Sequence, residues 1–136
     1  MAGVHFNYDS FKQLLRLSIG IAGRLDENRA ESLTVLYCDF SGINDEAIEN
    51  SLQEVLRNSD SIVNHGDDFY FVLPYTDKYG AETVKKMFSE FFAQEFMSML
   101  VSYPVDGEDA EELTDFLQNS VKKFCKKDIT YLDELE

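Results

Sequence analysis

The amino-acid sequence predicts an α/β protein of the mixed α+β kind, with one mixed central sheet that contains a β-hairpin and is flanked by helices. Segments with the apolar spacing of helices alternate with short apolar runs typical of strands. The chain has 136 residues, of which 44% are hydrophobic, and this suffices for one domain with one core. We therefore expect a single domain over residues 1–136, with its core over about 9–127 and a loose acidic tail over 128–136.

The first half of the chain contains a helix, a strand and a second helix. Apolar residues recur at helical spacing over residues 9–24, which predicts the first helix. The run over residues 33–38 is almost wholly apolar and ends in Asp39, which indicates a buried strand. A second amphipathic helix follows, and Asn44 or Asp45 is suited to cap it.

A hairpin is predicted over residues 61–74, where two short apolar runs flank a turn. The turn and its flanks are formed by five residues: His65, Gly66, Asp67, Asp68 and Phe69. Gly66 relaxes the backbone at the turn, and two adjacent carboxylates are expected to project from it. Such an acidic tip is a metal site, the remains of one, or an ordinary polar turn.

The second half repeats the alternation. A third helix begins at Thr76 or Asp77, a strand is predicted over residues 96–103, and the last helix is predicted over residues 109–126. In a single sheet the end of the first strand can lie beside the hairpin tip, so that Asp39 approaches the two hairpin carboxylates. Three such carboxylates form a hard-oxygen cluster suited to Mg²⁺; the alternative is a solvated, empty acidic tip.

Charge and cysteine content limit the class of protein. The net charge is −14, which disfavours nonspecific binding to nucleic acid or to anionic membranes. Cys38 and Cys125 are far apart in apolar surroundings, which is typical of reduced thiols. No segment resembles a signal peptide or a membrane span, so we expect a soluble cytoplasmic protein.

Seven short motifs, taken in chain order, resemble those of one family. They lie at residues 11–15, 33–39, 43–45, 57–60, 64–69, 73–81 and 102–113. Together they make the chain similar to a GGDEF domain, the diguanylate cyclase fold, over nearly its whole length. The resemblance implies that residues 65–69 are the signature hairpin and that Asp39 is the metal-binding aspartate that ends the first strand.

The chain departs from the family pattern at the positions that hold the nucleotide. His65 replaces the first signature glycine, and Asp68 replaces the glutamate. The segment before the hairpin is short and lacks the element whose aspartate reads guanine in the family. By the resemblance Asn44 and Lys126 are vestigial nucleotide contacts, whereas Thr130 stands where the family has a phosphate-holding arginine.

Arg57 and Asp60 resemble the Arg-x-x-Asp motif that forms the inhibitory cyclic di-GMP site of the family. There the arginine grips guanine edges or phosphate, and the aspartate accepts from guanine nitrogens. The alternative is a helix-end arginine that pairs with a nearby carboxylate.

These features lead to three hypotheses about function. The first is a catalytically inactive GGDEF-like signalling or scaffolding module, with no catalytic residues and no required cofactor, that acts through a protein partner or a homodimer. The second is a receptor for cyclic di-GMP or another nucleotide through Arg57 and Asp60. The third is a weak Mg²⁺-dependent nucleotidyl cyclase acting on GTP or another nucleotide.

Overall fold

The computed structural model describes residues 3–25 and 31–135, and they form the predicted mixed sheet with helices on both faces. The strands are β1 (Val4–His5), β2 (Glu31–Asp39), β3 (Ser61–His65), β4 (Asp68–Pro74) and β5 (Ser98–Pro104). The helices are α1 (Phe11–Leu25), α2 (Asp45–Val55), α3 (Lys78–Phe92) and α4 (Ala110–Ser120). Short 3₁₀ turns lie at Tyr8–Ser10 and Thr130–Glu134, and a π-helical turn at Val121–Cys125 follows α4.

The strand order in the sheet is β1-β3-β4-β2-β5. β1 pairs with β3 in parallel, and the other neighbouring strands are antiparallel. The register of β2 against β4 places Asp39 directly opposite Asp68. This pairing brings the end of the first long strand to the hairpin tip, as the sequence predicts.

Side chains of the central strands alternate between two cores, one on each face of the sheet. The first core packs α1 and α4 against Tyr37 and Tyr70. The second packs α2 and α3 against Cys38 and Phe71, and Phe40 contacts several of its aromatic rings. Cys38 is buried and Cys125 is partly buried, and both are free thiols.

The chain beyond residue 127 differs from the loose acidic tail that was expected. Ile129 and Leu132 are fully buried in the first core, and Thr130–Glu134 forms a 3₁₀ turn. The acidic residues of this segment face solvent and make its composition polar on average. That composition masks the two buried apolar residues, Ile129 and Leu132, which are three positions apart. Only Glu136 of the expected tail lies outside the described residues.

The core also begins earlier than the expected residue 9. The N–H groups of Val4 and Phe6 donate to the carbonyls of Asp60 and Ile62 at 2.9 and 2.8 Å, which adds β1 to the sheet. A strand of two residues is too short to show alternation in the sequence. Within the described part of the chain, no helix combines the length and the apolar character that crossing a bilayer requires.

Candidate functional site

The signature hairpin turns through two residues, Gly66 and Asp67, between the paired residues His65 and Asp68. Gly66 has φ +61°, a left-handed conformation that favours glycine. Asp67 is exposed at the turn, whereas Asp68 already belongs to β4 and is buried. The expectation that both carboxylates project together from the tip is therefore wrong.

Three cationic or hydroxyl groups surround the Asp68 carboxylate. The hydroxyl of Tyr37 donates to its Oδ1 at 2.7 Å, and the hydroxyl of Tyr131 donates to its Oδ2 at 2.7 Å. The ammonium of Lys127 forms an ion pair with Oδ1 and lies 3.4 Å from Oδ2 of Asp39. Lys127 thus joins the two carboxylates that face each other across β2 and β4.

This arrangement does not fit the Mg²⁺ ion that the family resemblance implies. A cation shared by Asp39 and Asp68 would meet the fixed ammonium of Lys127 at close range and be repelled. Asp67 is exposed at the turn and does not provide a third ligand beside Asp39 and Asp68. Residues 3–25 and 31–135 contain no group of three His, Cys, Asp or Glu side chains placed to hold a metal. The expected three-carboxylate cluster is accordingly replaced by two carboxylates and an internal cation.

The ion pairs shift the pKa values of their members in the stabilising direction. Burial alone would raise the pKa of Asp39, but hydrogen bonds from Ser41 and the charge of Lys127 bring it below its usual value. Burial alone would lower the pKa of Lys127, but its bonds to Asp68 and Asp39 raise it. Asp39 and Lys127 therefore stay charged over a wide pH range.

The tyrosines of the cluster remain protonated donors. Burial, followed by the neighbouring tyrosine and the Asp68 charge, raises the pKa of Tyr131 far above its usual value. Burial and the Asp68 carboxylate do the same for the pKa of Tyr37. Because the single proton of Tyr131 goes to Asp68, the hydroxyl of Tyr70 donates to Tyr131. The result is a chain of hydrogen bonds that ends on one buried carboxylate.

His65 has a contact that the sequence did not indicate. Its ring stacks on Tyr131 with centroids 3.9 Å apart and planes inclined by 17°. The ring centroids of Tyr8 and His65 are 4.7 Å apart. The hydroxyl of Tyr8 donates to the backbone carbonyl of Tyr131 at 3.0 Å. The residue that replaces a family glycine therefore supports the C-terminal segment.

The two residues expected as vestigial nucleotide contacts lie elsewhere. Asn44 caps α2, and its Oδ1 accepts from the N–H groups of Glu46 and Ala47 at 2.8 and 3.3 Å. Lys126 is exposed, and its backbone has φ +56°. The lysine at the carboxylate pair is the next one, Lys127, and the residue four positions later is Tyr131 rather than Thr130. A one-residue shift of the family's late Lys pattern would have found Lys127, but a tyrosine at position 131 does not match the arginine of that pattern.

Arg57 and Asp60 form a closed pair, which was the alternative stated from the sequence. Nη2 of Arg57 lies 2.7 Å from Oδ1 of Asp60, and the backbone N–H of Arg57 donates to Oδ2 at 2.8 Å. The same Nη2 donates to the carbonyl of Pro74 at 2.8 Å. Asp60 is buried, whereas about half of the Arg57 side chain is exposed and lines an open cavity of about 820 Å³ with Tyr75 and Thr76.

No protein-family model and no curated protein matches the sequence. Among solved structures, the chain is similar to a sensory box/GGDEF family protein from Caulobacter crescentus, with a TM-score of 0.64 and 21% identity over 89% of this chain and 93% of that one. It is also similar to PelD from Pseudomonas aeruginosa in complex with cyclic di-GMP, with a TM-score of 0.55 and 20% identity. The apo form of PelD matches with a TM-score of 0.50 and 17% identity.

These likenesses show a GGDEF-like fold. The match to the PelD complex covers 82% of this chain but 44% of the PelD chain, so this chain spans less than half of the PelD chain in that structure. The match to apo PelD covers 87% of this chain and 45% of the PelD chain in that structure.

Proposed function

We propose that the chain is a non-catalytic GGDEF-like signalling domain. The observation that carries the proposal is the ammonium of Lys127, which lies between Asp39 and Asp68. A cyclase of this kind relies on metal ions to stabilise phosphate charge and to activate a hydroxyl. A lysine side chain neutralises the carboxylates but supplies no coordination positions for a nucleotide phosphate.

The surface around the hairpin supports the same proposal. Tyr131 covers the position of His65, where the family has a glycine that admits the phosphates, and the two rings are in contact. Nearby, the side chain of Asn44 is occupied as a helix cap. Groups that would bind a nucleotide are thus engaged within the protein.

The experiment that tests this proposal measures turnover of GTP with Mg²⁺ by chromatography of the nucleotides, beside an active diguanylate cyclase. We expect no cyclic di-GMP and no other nucleotide product from this chain. Product formation that disappears in Asp39→Ala would overturn the proposal, because that loss would assign the activity to the carboxylate pair.

A signalling domain without catalysis must act by contact, and we infer a protein partner or a second copy of this chain. Leu17 and Ile21 on α1 support this inference, since 62% and 48% of their surfaces are exposed on a helix whose opposite face is buried. Light scattering at several protein concentrations distinguishes the two. A molar mass that stays at the value of a single chain at all concentrations would indicate that the partner is a different protein.

A second candidate function is binding of cyclic di-GMP beside Arg57. The supporting observation is the partly exposed guanidinium at the wall of an open cavity, and a protein of similar fold, PelD, has been solved with this ligand. The net charge of −14 opposes the binding of a dianion. Calorimetry with cyclic di-GMP tests this function, and binding that is lost in Arg57→Ala would favour it over the first proposal.

A further inference from the structure

We propose that two copies of this chain associate through α1, in an antiparallel pair in which Leu17 of each copy packs into the space beside Gly20 of the other. The inference rests on the proposed function, since it names a second copy of the chain as the partner that the signalling domain contacts. The shape and the charge of one helix face support this pairing.

One face of α1 carries a protruding side chain beside an empty position. Leu17 has 62% of its surface exposed, and Ile21, one turn later, has 48% exposed. Gly20 is also exposed, and a Cβ added there would meet, within 4 Å, no described atom beyond its chain neighbours and its own helix backbone. In an antiparallel pair related by a twofold axis, Leu17 of each copy lies opposite Gly20 of the other, so the face fits itself.

Packing within one copy does not require a glycine at position 20. Glycine is among the least favourable residues in the middle of a helix, because folding must remove its large backbone freedom. The contrast is Gly107, where a Cβ would lie 2.9 Å from the backbone nitrogen of Leu113, so the chain itself demands glycine there. A second helix packed closely against α1 gives position 20 a reason to be small, because a side chain would hold the two helices apart.

The charge of α1 also suits a second copy. This helix contains three basic residues and no acidic one, whereas each of the other three helices contains at least two acidic residues. Because each copy has a net charge of −14, two copies repel each other over most of their surfaces and approach most easily along α1. Lys12 and Arg24 lie near the ends of the helix and Arg16 is paired with Glu111, so the contact at its centre is uncharged.

A groove beside the same face adds uncharged surface. Its volume is about 200 Å³, its walls include Phe6, Leu17, Ile21 and Pro74, and none of the described residues that line it is charged. Pockets for small molecules usually measure about 300–1,000 Å³, so this groove is better suited to side chains of a docked protein. One helix face with a narrow groove makes a small interface, and we therefore expect a dimer that dissociates in the micromolar range rather than a permanent one.

Sedimentation velocity of the full chain over a range of concentrations measures this association. The decisive comparison is Leu17→Gln against Met87→Gln, since Met87 is an apolar side chain, 41% exposed, on a helix that packs on the other face of the sheet. We expect Leu17→Gln to weaken dimerisation roughly tenfold or more. Met87→Gln should change it by less than about twofold. Equal effects of the two variants would overturn the proposal.

Gly20→Leu tests the fit of the two helices by the sign of its effect. The change adds apolar surface at an exposed position, which would strengthen nonspecific association, but in the proposed pair it fills the space that Leu17 of the second copy occupies. We expect Gly20→Leu to weaken dimerisation. The double variant Leu17→Ala, Gly20→Leu should recover most of it, because the new side chain occupies the space that Leu17 leaves. Stronger association in Gly20→Leu, or no recovery in the double variant, would contradict the pairing.

The salt dependence gives a further check on the same samples. Dimerisation through uncharged centres of α1 should strengthen with added salt, because salt screens the repulsion between two copies that each carry a net charge of −14. Association that weakens with salt would overturn the antiparallel pair, because it would show that basic residues of one copy bind an acidic surface of the other.

The outcomes separate this inference from the proposed function. If the wild-type chain stays monomeric up to millimolar concentration, the α1 pair is wrong, and the non-catalytic assignment stands with a different protein as the partner. If the wild-type chain converts GTP, the assignment is wrong whatever its oligomeric state.

Discussion

The ammonium of Lys127 forms an ion pair with the buried carboxylate of Asp68, which lies 59 residues earlier in the chain. The contact ties the C-terminal segment to the strand that follows the hairpin turn. Because β2 pairs with β4 in register, the same ammonium also reaches Asp39. One lysine therefore determines the charge at the place where the family resemblance implies a metal ion.

The first prediction concerns the stability that this ion pair provides. Asp68→Ala leaves Lys127 partly buried beside Asp39 alone and removes the acceptor of two tyrosine hydroxyls. We expect the free energy of unfolding in urea to fall by about 3 kcal/mol, the usual cost of breaking a buried pair. The matched control is Asp67→Ala at the exposed turn, where the change should stay within about 0.5 kcal/mol. Similar losses in both variants would contradict the structure.

The second prediction concerns ionisation of tyrosines in alkali. The pKa values of Tyr37, Tyr70 and Tyr131 are all raised, first by burial, so these phenols stay protonated in the folded chain after the unfolded chain has begun to ionise. The stability linked to them is present below about pH 10 and is lost as pH rises further. The raised pKa of Lys127 acts in the same direction, and its contribution to stability is lost above the ordinary lysine pKa of 10.5.

Absorbance at 295 nm measures this ionisation. In the folded chain, the amplitude of the alkaline titration should lack the contribution of Tyr37, Tyr70 and Tyr131 until the protein unfolds. Tyr131→Phe should leave the amplitude of the folded chain unchanged, because Tyr131 is silent there. A decrease would show that Tyr131 ionises with the exposed phenols.

The third prediction concerns acid. Since the pKa of Asp39 is below its usual 3.8, its contribution to stability is complete above that value and is lost as pH falls through the lower pKa of the folded state. Asp39→Asn should therefore reduce the dependence of the unfolding free energy on pH below about 4. Denaturant titrations of the wild type and the variant at a series of acidic pH values check this, and parallel curves would refute it.

The sequence predicted the parts of the fold that follow from periodic patterns. Alternation of helical and strand-like segments gave the mixed sheet, and the turn at Gly66 gave the hairpin. The approach of Asp39 to the hairpin also followed, because the end of one strand and the tip of the next lie at the same edge.

The polar contacts of the site were not predictable in the same way. Lys126 and Lys127 are adjacent and identical in type, so the sequence does not distinguish the exposed Lys126 from Lys127, which pairs with both carboxylates. The packing of Ile129 and Leu132 was hidden by the acidic residues between and around them. Local composition describes solvent-facing residues well, but a few long-range contacts decide where a short segment docks.

The last prediction separates a structural role of Arg57 from ligand binding. Asp60 is buried and accepts from both the guanidinium and the backbone N–H of Arg57. Arg57→Ala removes the charged donor, so we expect stability to fall by about 2 kcal/mol even without any ligand. The matched control is Arg16→Ala, where the exposed pair with Glu111 should contribute less than about 1 kcal/mol.

Loss of cyclic di-GMP binding in Arg57→Ala would therefore implicate Arg57 only if the variant is shown to be folded at the temperature of the measurement. Arg57→Lys keeps a positive charge near Asp60 but loses the planar fork that binds guanine edges or phosphate. If Arg57→Lys is more stable than Arg57→Ala and yet does not bind cyclic di-GMP, the guanidinium of Arg57 is the group that binds the ligand. Binding that survives in Arg57→Ala would restrict Arg57 to the structural pair with Asp60.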